Sequence, residues 1–293
     1  MARLIYAETS IWNRLCDQKV DGKFLLSSLA AQDAQLVLGE NVLSEMVKTL
    51  QKSDSCSAGR GRELFSYLKS LLPYGVPLLK PTRAILIGEA SHVSKQGPEV
   101  VPFASDCAQL FRQVDKFSDG GFDSRARQLV LELSGAAYND RVAARAHLTA
   151  RPRLTSMLRQ VSSQKLPRWI ARQATGPRGR EVLAGRLHAE FPSNTLSELS
   201  YTAKKLLASR RYRVSHALVR SDLYVNWRCA NRGSLRSDIP DDIFHVVNAS
   251  YCDIFITTDR DQASYAVHAL PSAKVLVYEG SAPLLKWLLE ATG

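Results

Sequence analysis

The amino-acid sequence predicts an α/β protein of three layers, a central and mainly parallel sheet covered by helices on both faces and interrupted by a mostly helical insertion. Three observations support this. Short, wholly apolar runs alternate with helical patterns near both ends of the chain, as strands buried on both faces require. Between about Gln96 and Arg236 the texture changes to Ala-, Arg- and Leu-rich stretches of helical character. The length of 293 residues exceeds a typical domain of roughly 100–200 residues, which favours one large domain or a domain with a sizeable insertion. The expected organisation is therefore two halves of a sheet domain, residues 1–95 and 237–293, with residues 96–236 inserted between them.

Taken in order, Leu4–Ala7 reads as a buried strand that ends at the polar turn Glu8-Thr9-Ser10. Leu36–Leu38 repeats that pattern. Asn41–Leu50 then places Val42, Leu43, Met46, Val47 and Leu50 on one helical face, and Val76–Leu79 reads as a third strand. In the middle, Ser124–Leu133 and Leu196–Leu207 read as helices, punctuated by Gly120-Gly121, by Arg151-Pro152 and by Gly176-Pro177-Arg178-Gly179, the last read as a turn. Toward the end of the chain, Asp241–Ser250 reads as a helix, and Ile254–Thr257 and Lys274–Tyr278 read as strands.

Hydrophobic residues at 45% and charged residues at 23% exclude a disordered, collagen-like or coiled-coil chain. No apolar run reaches the roughly 20 residues of a membrane span, and the start of the chain lacks an apolar signal core, so a cytoplasmic protein is expected. Five scattered cysteines (Cys16, Cys56, Cys107, Cys229 and Cys252) without a C-x-x-C read as reduced, mostly buried thiols. The net charge of +11 suggests a polyanionic partner, nucleic acid first and an acidic membrane surface second. Its distribution says more. Residues 141–236 carry twenty Lys and Arg against four acids, a balance of +16, whereas the rest carries nineteen against twenty-four, a balance of −5.

In open parallel sheets, functional groups collect beyond the carboxyl ends of the strands. Glu8 follows the first strand, and Asp259, with Asp261 two residues on, follows Ile254–Thr257. Glu45 lies on the helix after the second strand, and Asp242 in the first turn of the helix before Asp259. If these carboxylates converge, their repulsion calls for a cation, and hard oxygen donors suit Mg²⁺ or Mn²⁺. His245 is expected to pack or hydrogen-bond near such a site rather than to ligate, and the other histidines lack ligand spacing.

These residues resemble a known family. Leu4–Trp12 looks like the opening strand and turn of PIN-domain nucleases, Leu36–Leu50 is similar to their second strand and acid-bearing helix, and Asp242–Ala249 with Cys252–Asp261 resembles their C-terminal half. The resemblance covers about residues 1–90 and 237–293 and leaves out the basic middle. It implies a divalent-metal-dependent nuclease, most often an endoribonuclease and toxin-like in its small members. Its acids would be Glu8, Glu45, Asp242 and Asp259, with Asp261 as an extra metal ligand. The family pattern more commonly has Asp where this chain has Glu8, whose added methylene moves the carboxylate outward. Such a site would polarise the scissile phosphate and acidify a bound water that attacks in line, with Thr9, Ser10 and Thr257 hydrogen-bonding the carboxylates or metal waters.

Other hydrolytic motifs are missing: Gly176–Gly179 lacks the P-loop pattern, and no G-x-S-x-G elbow occurs. In the basic third, Arg168, Arg172, Lys204, Lys205, Arg210, Arg211, Arg213 and Arg228 are interleaved with Trp169, Tyr212 and Tyr224. Cations on phosphates and rings on bases would suit a flexible or single-stranded nucleic acid, RNA favoured over DNA. Two other readings stand beside the nuclease. One is a catalytically inactive nucleic-acid-binding or scaffold protein on the same fold. The other is a basic domain docking an acidic, antitoxin-like protein partner or inhibitor; a homo-oligomer is also left open.

Overall fold

A computed structural model describes residues 2–50, 55–80, 82–95, 100–104, 152–232, 239–280 and 282–292. The expected helix over Ser124–Leu133, the Gly120-Gly121 break and Cys107 lie outside these residues, as does the Cys56 side chain. The chain opens with β1 (Arg3–Ala7), α1 (Thr9–Asp17), α2 (Gly22–Ala30), β2 (Ala34–Gly39), α3 (Glu40–Leu50), α4 (Ser55–Leu71), β3 (Leu78–Leu79) and α5 (Thr82–Lys95). Helices α6 (Pro152–Arg159), α7 (Leu166–Thr175), α8 (Pro177–Glu190), α9 (Leu196–Ala208) and α10 (Arg213–Arg232) follow. The last elements are α11 (Ile239–Asn248), β4 (Ile254–Thr257), α12 (Arg260–Ala269), β5 (Lys274–Val277) and α13 (Leu284–Thr292).

All five strands are parallel, in the order β3-β2-β1-β4-β5. The register sorts their side chains by face. Ile5 pairs with Leu36 on one side and Ile254 on the other, and all three enter one core with α1, α2, α4 and α13. One residue on, Tyr6 pairs with Val37 and Phe255, which enter a second core on the opposite face. Alternation with period two thus feeds two helical layers from strands whose central positions are apolar on both faces. The second core continues through α5, α11 and α12 into Leu158, Ile170, Leu187, Leu206 and Val219 of the basic segment, so those helices cover the sheet rather than stand apart from it.

Element ends differ from the sequence reading in instructive ways. β3 is shortened to Leu78–Leu79, and Asp241–Ser250 becomes a helix that stops at Asn248, followed by a 3₁₀ turn at Ala249–Tyr251. Gly176–Gly179 is not a separate turn. Gly176 caps α8, whose first residue Pro177 has the φ a helix start needs and no amide to leave unbonded. Gly179 meets the end of α7 so closely that a Cβ there would lie 2.0 Å from the Ala174 carbonyl oxygen. Gly179→Ala is therefore expected to force the two helices apart and lower the unfolding free energy by about 1–3 kcal/mol, read by chemical denaturation. Of the described thiols, Cys252 is buried while Cys16 and Cys229 are half-buried, and none of the three is in a disulfide.

One polar group ties α5 to the basic segment within the second core. Glu89 of α5 is fully buried, and its carboxylate accepts bonds from the Val214 amide (3.0 Å), the Ser215 amide (2.9 Å) and hydroxyl (2.6 Å), and the Tyr251 hydroxyl (2.8 Å). Glu89 thereby caps the N-terminus of α10 from another helix, where the helix dipole favours an anion. No helix among the described residues is long and apolar enough to cross a membrane.

Candidate functional site

The chain runs from β1 outward to β2 and β3 on one side, then returns to β4 and β5 on the other. The strand order therefore reverses between β1 and β4, and in parallel sheets the carboxyl ends at such a reversal are where a crevice forms. Glu8 sits there, 9% exposed, its amide bonded to the Ile256 carbonyl of β4 at 3.1 Å. Its Oε1 accepts from the Ser10 hydroxyl and from the Thr258 amide (3.3 Å) and hydroxyl (3.5 Å), and the two hydroxyls are 2.7 Å apart. These donors hold the longer Glu arm against the turn after β4.

On the other side of the crevice, α3 brings Glu45 to the fully buried ring of His245 on α11, with Oε1 3.1 Å from Nε2. Thr9 Oγ1 lies 3.4 Å from the same nitrogen, and the Tyr6 hydroxyl is hydrogen-bonded to Nδ1 at 2.8 Å. Space for this arrangement comes from Gly39 at the end of β2, since a Cβ there would lie 2.5 Å from the Tyr6 ring and 2.6 Å from Asn248 Oδ1. Burial by itself disfavours the imidazolium. The Glu45 carboxylate, through charge and hydrogen bond, and then the charges of Glu8 and Asp242 outweigh burial and hold His245 above its ordinary value. Burial, with Glu45 adding, keeps Tyr6 neutral far above its usual range.

Asp242 and His245 are three residues apart on α11 and so share a face. Asp242 Oδ1 accepts from Gln262 Nε2 at 3.1 Å, while the buried Gln262 Oε1 has no hydrogen-bond partner among the described residues. Asp259 is the N-cap of α12, its Oδ1 accepting from the Asp261 amide (2.6 Å) and the Gln262 amide (3.1 Å). Asp261 points instead to Arg228 of α10, at 2.8 Å. Thr257 and Thr9 depart from their expected roles. The Thr257 hydroxyl accepts from the Asp259 amide (2.9 Å) and so positions backbone rather than a carboxylate, and Thr9 meets His245. Ser10 does hydrogen-bond a carboxylate. Sequence reasoning missed Tyr6 and Gln262. Tyr6 hides inside an apolar run, and the legible signal for Gln262 was its place three residues after a helix-capping Asp.

Five acids were expected at one centre. Glu8, Glu45 and Asp242 act together on one buried imidazole, Asp259 adds its capping carboxylate at the end of β4, and Asp261 turns away to the basic helices. Among the described residues no three His, Cys, Asp or Glu side chains stand together as a group ready to hold an ion. The donors nevertheless fit a hard divalent cation in kind: they are carboxylate oxygens in excess over the single imidazole among them, beside the Gln262 amide oxygen that has no partner among the described residues.

The basic residues divide by position. Arg168, Arg172, Lys204, Lys205, Arg210, Arg211 and Arg213 are exposed. Arg228 is 7% exposed and held by Asp261. Trp169, Tyr212 and Tyr224, expected to stack on bases, are packed in the core instead, their rings filling the helical faces that cover the sheet. An exposed ring does occur at Tyr201, with Lys205 Nζ 4.5 Å from its centre. Helix α10 spans the domain: Arg228 is at the acidic crevice, and Arg213, fifteen residues earlier, is about 22 Å away along the axis. Comparison of the chain with protein-family models, with curated proteins and with solved structures finds no match.

Proposed function

We propose that the protein is a divalent-metal-dependent nuclease acting on RNA, with Glu8, Glu45, Asp242 and Asp259 at its centre. The observation that carries this reading is the convergence of three carboxylate charges on buried His245 at the switch point of a parallel sheet. Together with the PIN-like motifs that bear these acids, it favours a site built to attract a cation. Glu8, Glu45 and Asp242 would hold Mg²⁺ or Mn²⁺, and the bound ion would supply a polarised phosphodiester and an acidified water. The chain's own groups do the rest. Ser10 and Thr258 orient Glu8, His245 orients Glu45 while Tyr6 fixes the imidazole ring, and Gln262 orients Asp242. The exposed cations of α7 and α9 contribute sequence-independent attraction for the polyanion.

The test is direct. Purified full-length chain is incubated with a mixed RNA pool in Mg²⁺, in Mn²⁺ and in EDTA. Cleavage in either metal and none in EDTA is the expected outcome, and cleavage sites mapped on total RNA would name the substrate. A second reading, an RNA-binding protein without hydrolytic activity, is favoured by the Glu45–His245 pair, which already engages one of the carboxylates. Salt-sensitive RNA binding with no cleavage in either metal would select it and remove the nuclease.

A further inference from the structure

We propose that a cavity on the amino-terminal edge of the sheet binds a phosphorylated small molecule of nucleotide size, at a site separate from the acidic crevice. The cavity, about 570 Å³, lies between α7, the end of α9, the first half of α10 and the segments that lead into β4 and β5. Ser250 lines it just before β4, and Leu270 and Pro271 line it before β5, whereas Glu8 and Asp259 follow β1 and β4. The two sites therefore occupy opposite edges of one parallel sheet, and the inference does not rest on the nuclease reading.

The chemistry of the lining is one-sided. Arg210, Arg213, Arg220 and His216 face the cavity, and among the described residues no Asp or Glu lines it. Among the described residues none of the three arginines has a carboxylate partner. Arg220 donates to the His268 carbonyl oxygen at 3.2 Å, which fixes its guanidinium, and Arg213 lies over the Tyr251 ring at 5.7 Å. Burial and then the charge of Arg210 hold Arg220 below its ordinary value, as expected where cations meet without an anion. The Ser250 hydroxyl is buried and has no hydrogen-bond partner among the described residues. Arginine forks and a hydroxyl are the donor set that phosphate oxygens take.

Size selects the class of ligand. Orthophosphate would leave most of the cavity empty, while small-molecule sites generally fall in the range of roughly 300–1,000 Å³. Leu207, Ala217 and Leu270 also line the cavity and add apolar surface beside the cations, suited to an organic body such as a base and ribose. A long RNA held at the acids is less well matched, because the helix places Arg213 of the cavity about 22 Å along its axis from Arg228 at the acidic crevice.

Isothermal titration of the full-length chain with the four nucleoside monophosphates, adenosine and inorganic phosphate tests this. At least one monophosphate should bind saturably and at least tenfold more tightly than either adenosine or phosphate. Arg220→Gln should weaken that binding at least tenfold. Arg210→Gln, at an exposed position where folding is not at stake, should weaken it several-fold, and Arg260→Gln, an exposed cation at the other edge, should leave it unchanged. The proposal is overturned if no monophosphate binds, if phosphate alone binds as tightly, or if Arg210→Gln and Arg260→Gln behave alike. It is also overturned if only an RNA oligonucleotide responds to the arginine variants.

Discussion

Asp242→Asn is expected to lower metal-dependent RNA cleavage by at least roughly 10²–10³-fold, the scale seen when one preorganised charge-stabilising group is removed from an active site. RNA binding should be unchanged, because attraction for the polyanion comes from cations elsewhere. Asparagine keeps the shape of the side chain and an oxygen to accept from Gln262, so the change removes charge rather than structure. Glu45→Gln is expected to act in the same direction, and it also removes the carboxylate that orients His245. Asp259 separates two roles. Asp259→Asn retains a cap acceptor for the Asp261 and Gln262 amides, whereas Asp259→Ala gives up the cap at about 1 kcal/mol of stability. If Asp259→Asn folds with wild-type stability and loses cleavage, its charge serves the site. Cleavage assays beside anisotropy titrations read these outcomes, and full activity in Asp242→Asn would remove the acids from the mechanism.

Glu89→Ala should be the most destabilising of the substitutions considered, by about 3–5 kcal/mol, since it leaves the Val214 and Ser215 amides and the Ser215 hydroxyl buried without an acceptor. A fall in Tm on the order of 10 °C would follow. Glu89→Gln is expected to be little better, because each carboxylate oxygen accepts a backbone amide and a carboxamide would turn its NH₂ toward one of them. The loss is also pH-dependent. Burial lifts the Glu89 carboxyl above its ordinary value, with the Ser215, Tyr251 and Val214 bonds pulling it back only in part. The folded value thus exceeds the unfolded one of about 4.3, so its stabilisation is complete below that pH and declines as pH rises through the raised value. The stability difference between wild type and Glu89→Ala should accordingly be larger at pH 4 than at pH 7.5, measured by urea denaturation at both.

The sheet was legible because its strands are written in local pattern. Leu4–Ala7, Leu36–Leu38 and Ile254–Ile256 are apolar at every position, and only strands covered on both faces tolerate that. The acids could be found for a related reason, since a carboxylate directly after such a strand must emerge at the sheet edge. Less legible were the helices whose apolar faces are weakly patterned, such as α5 and α8, because packing against neighbours rather than periodicity decides them. The rings of Trp169, Tyr212 and Tyr224 illustrate the limit. Beside so many cations they suggested base stacking, yet the same side chains complete a core that the sequence does not display as contiguous.

By itself, the sequence determined the layered α/β class, the positions of the acids along it and the concentration of positive charge in the middle of the chain. Each is a property of residues close in sequence: an apolar run, a strand end, a local balance of +16. Only the tertiary structure decided how these parts face one another. It divided five similar acids into carboxylates around His245, a helix cap at Asp259 and a partner for Arg228 at Asp261. It also stretched the basic segment across the whole domain along α10, bringing Arg228 to the crevice and Arg213 to the far edge. The physical reason is that side-chain charge and polarity act through space, over distances set by helix lengths and strand register that no local stretch of chain encodes.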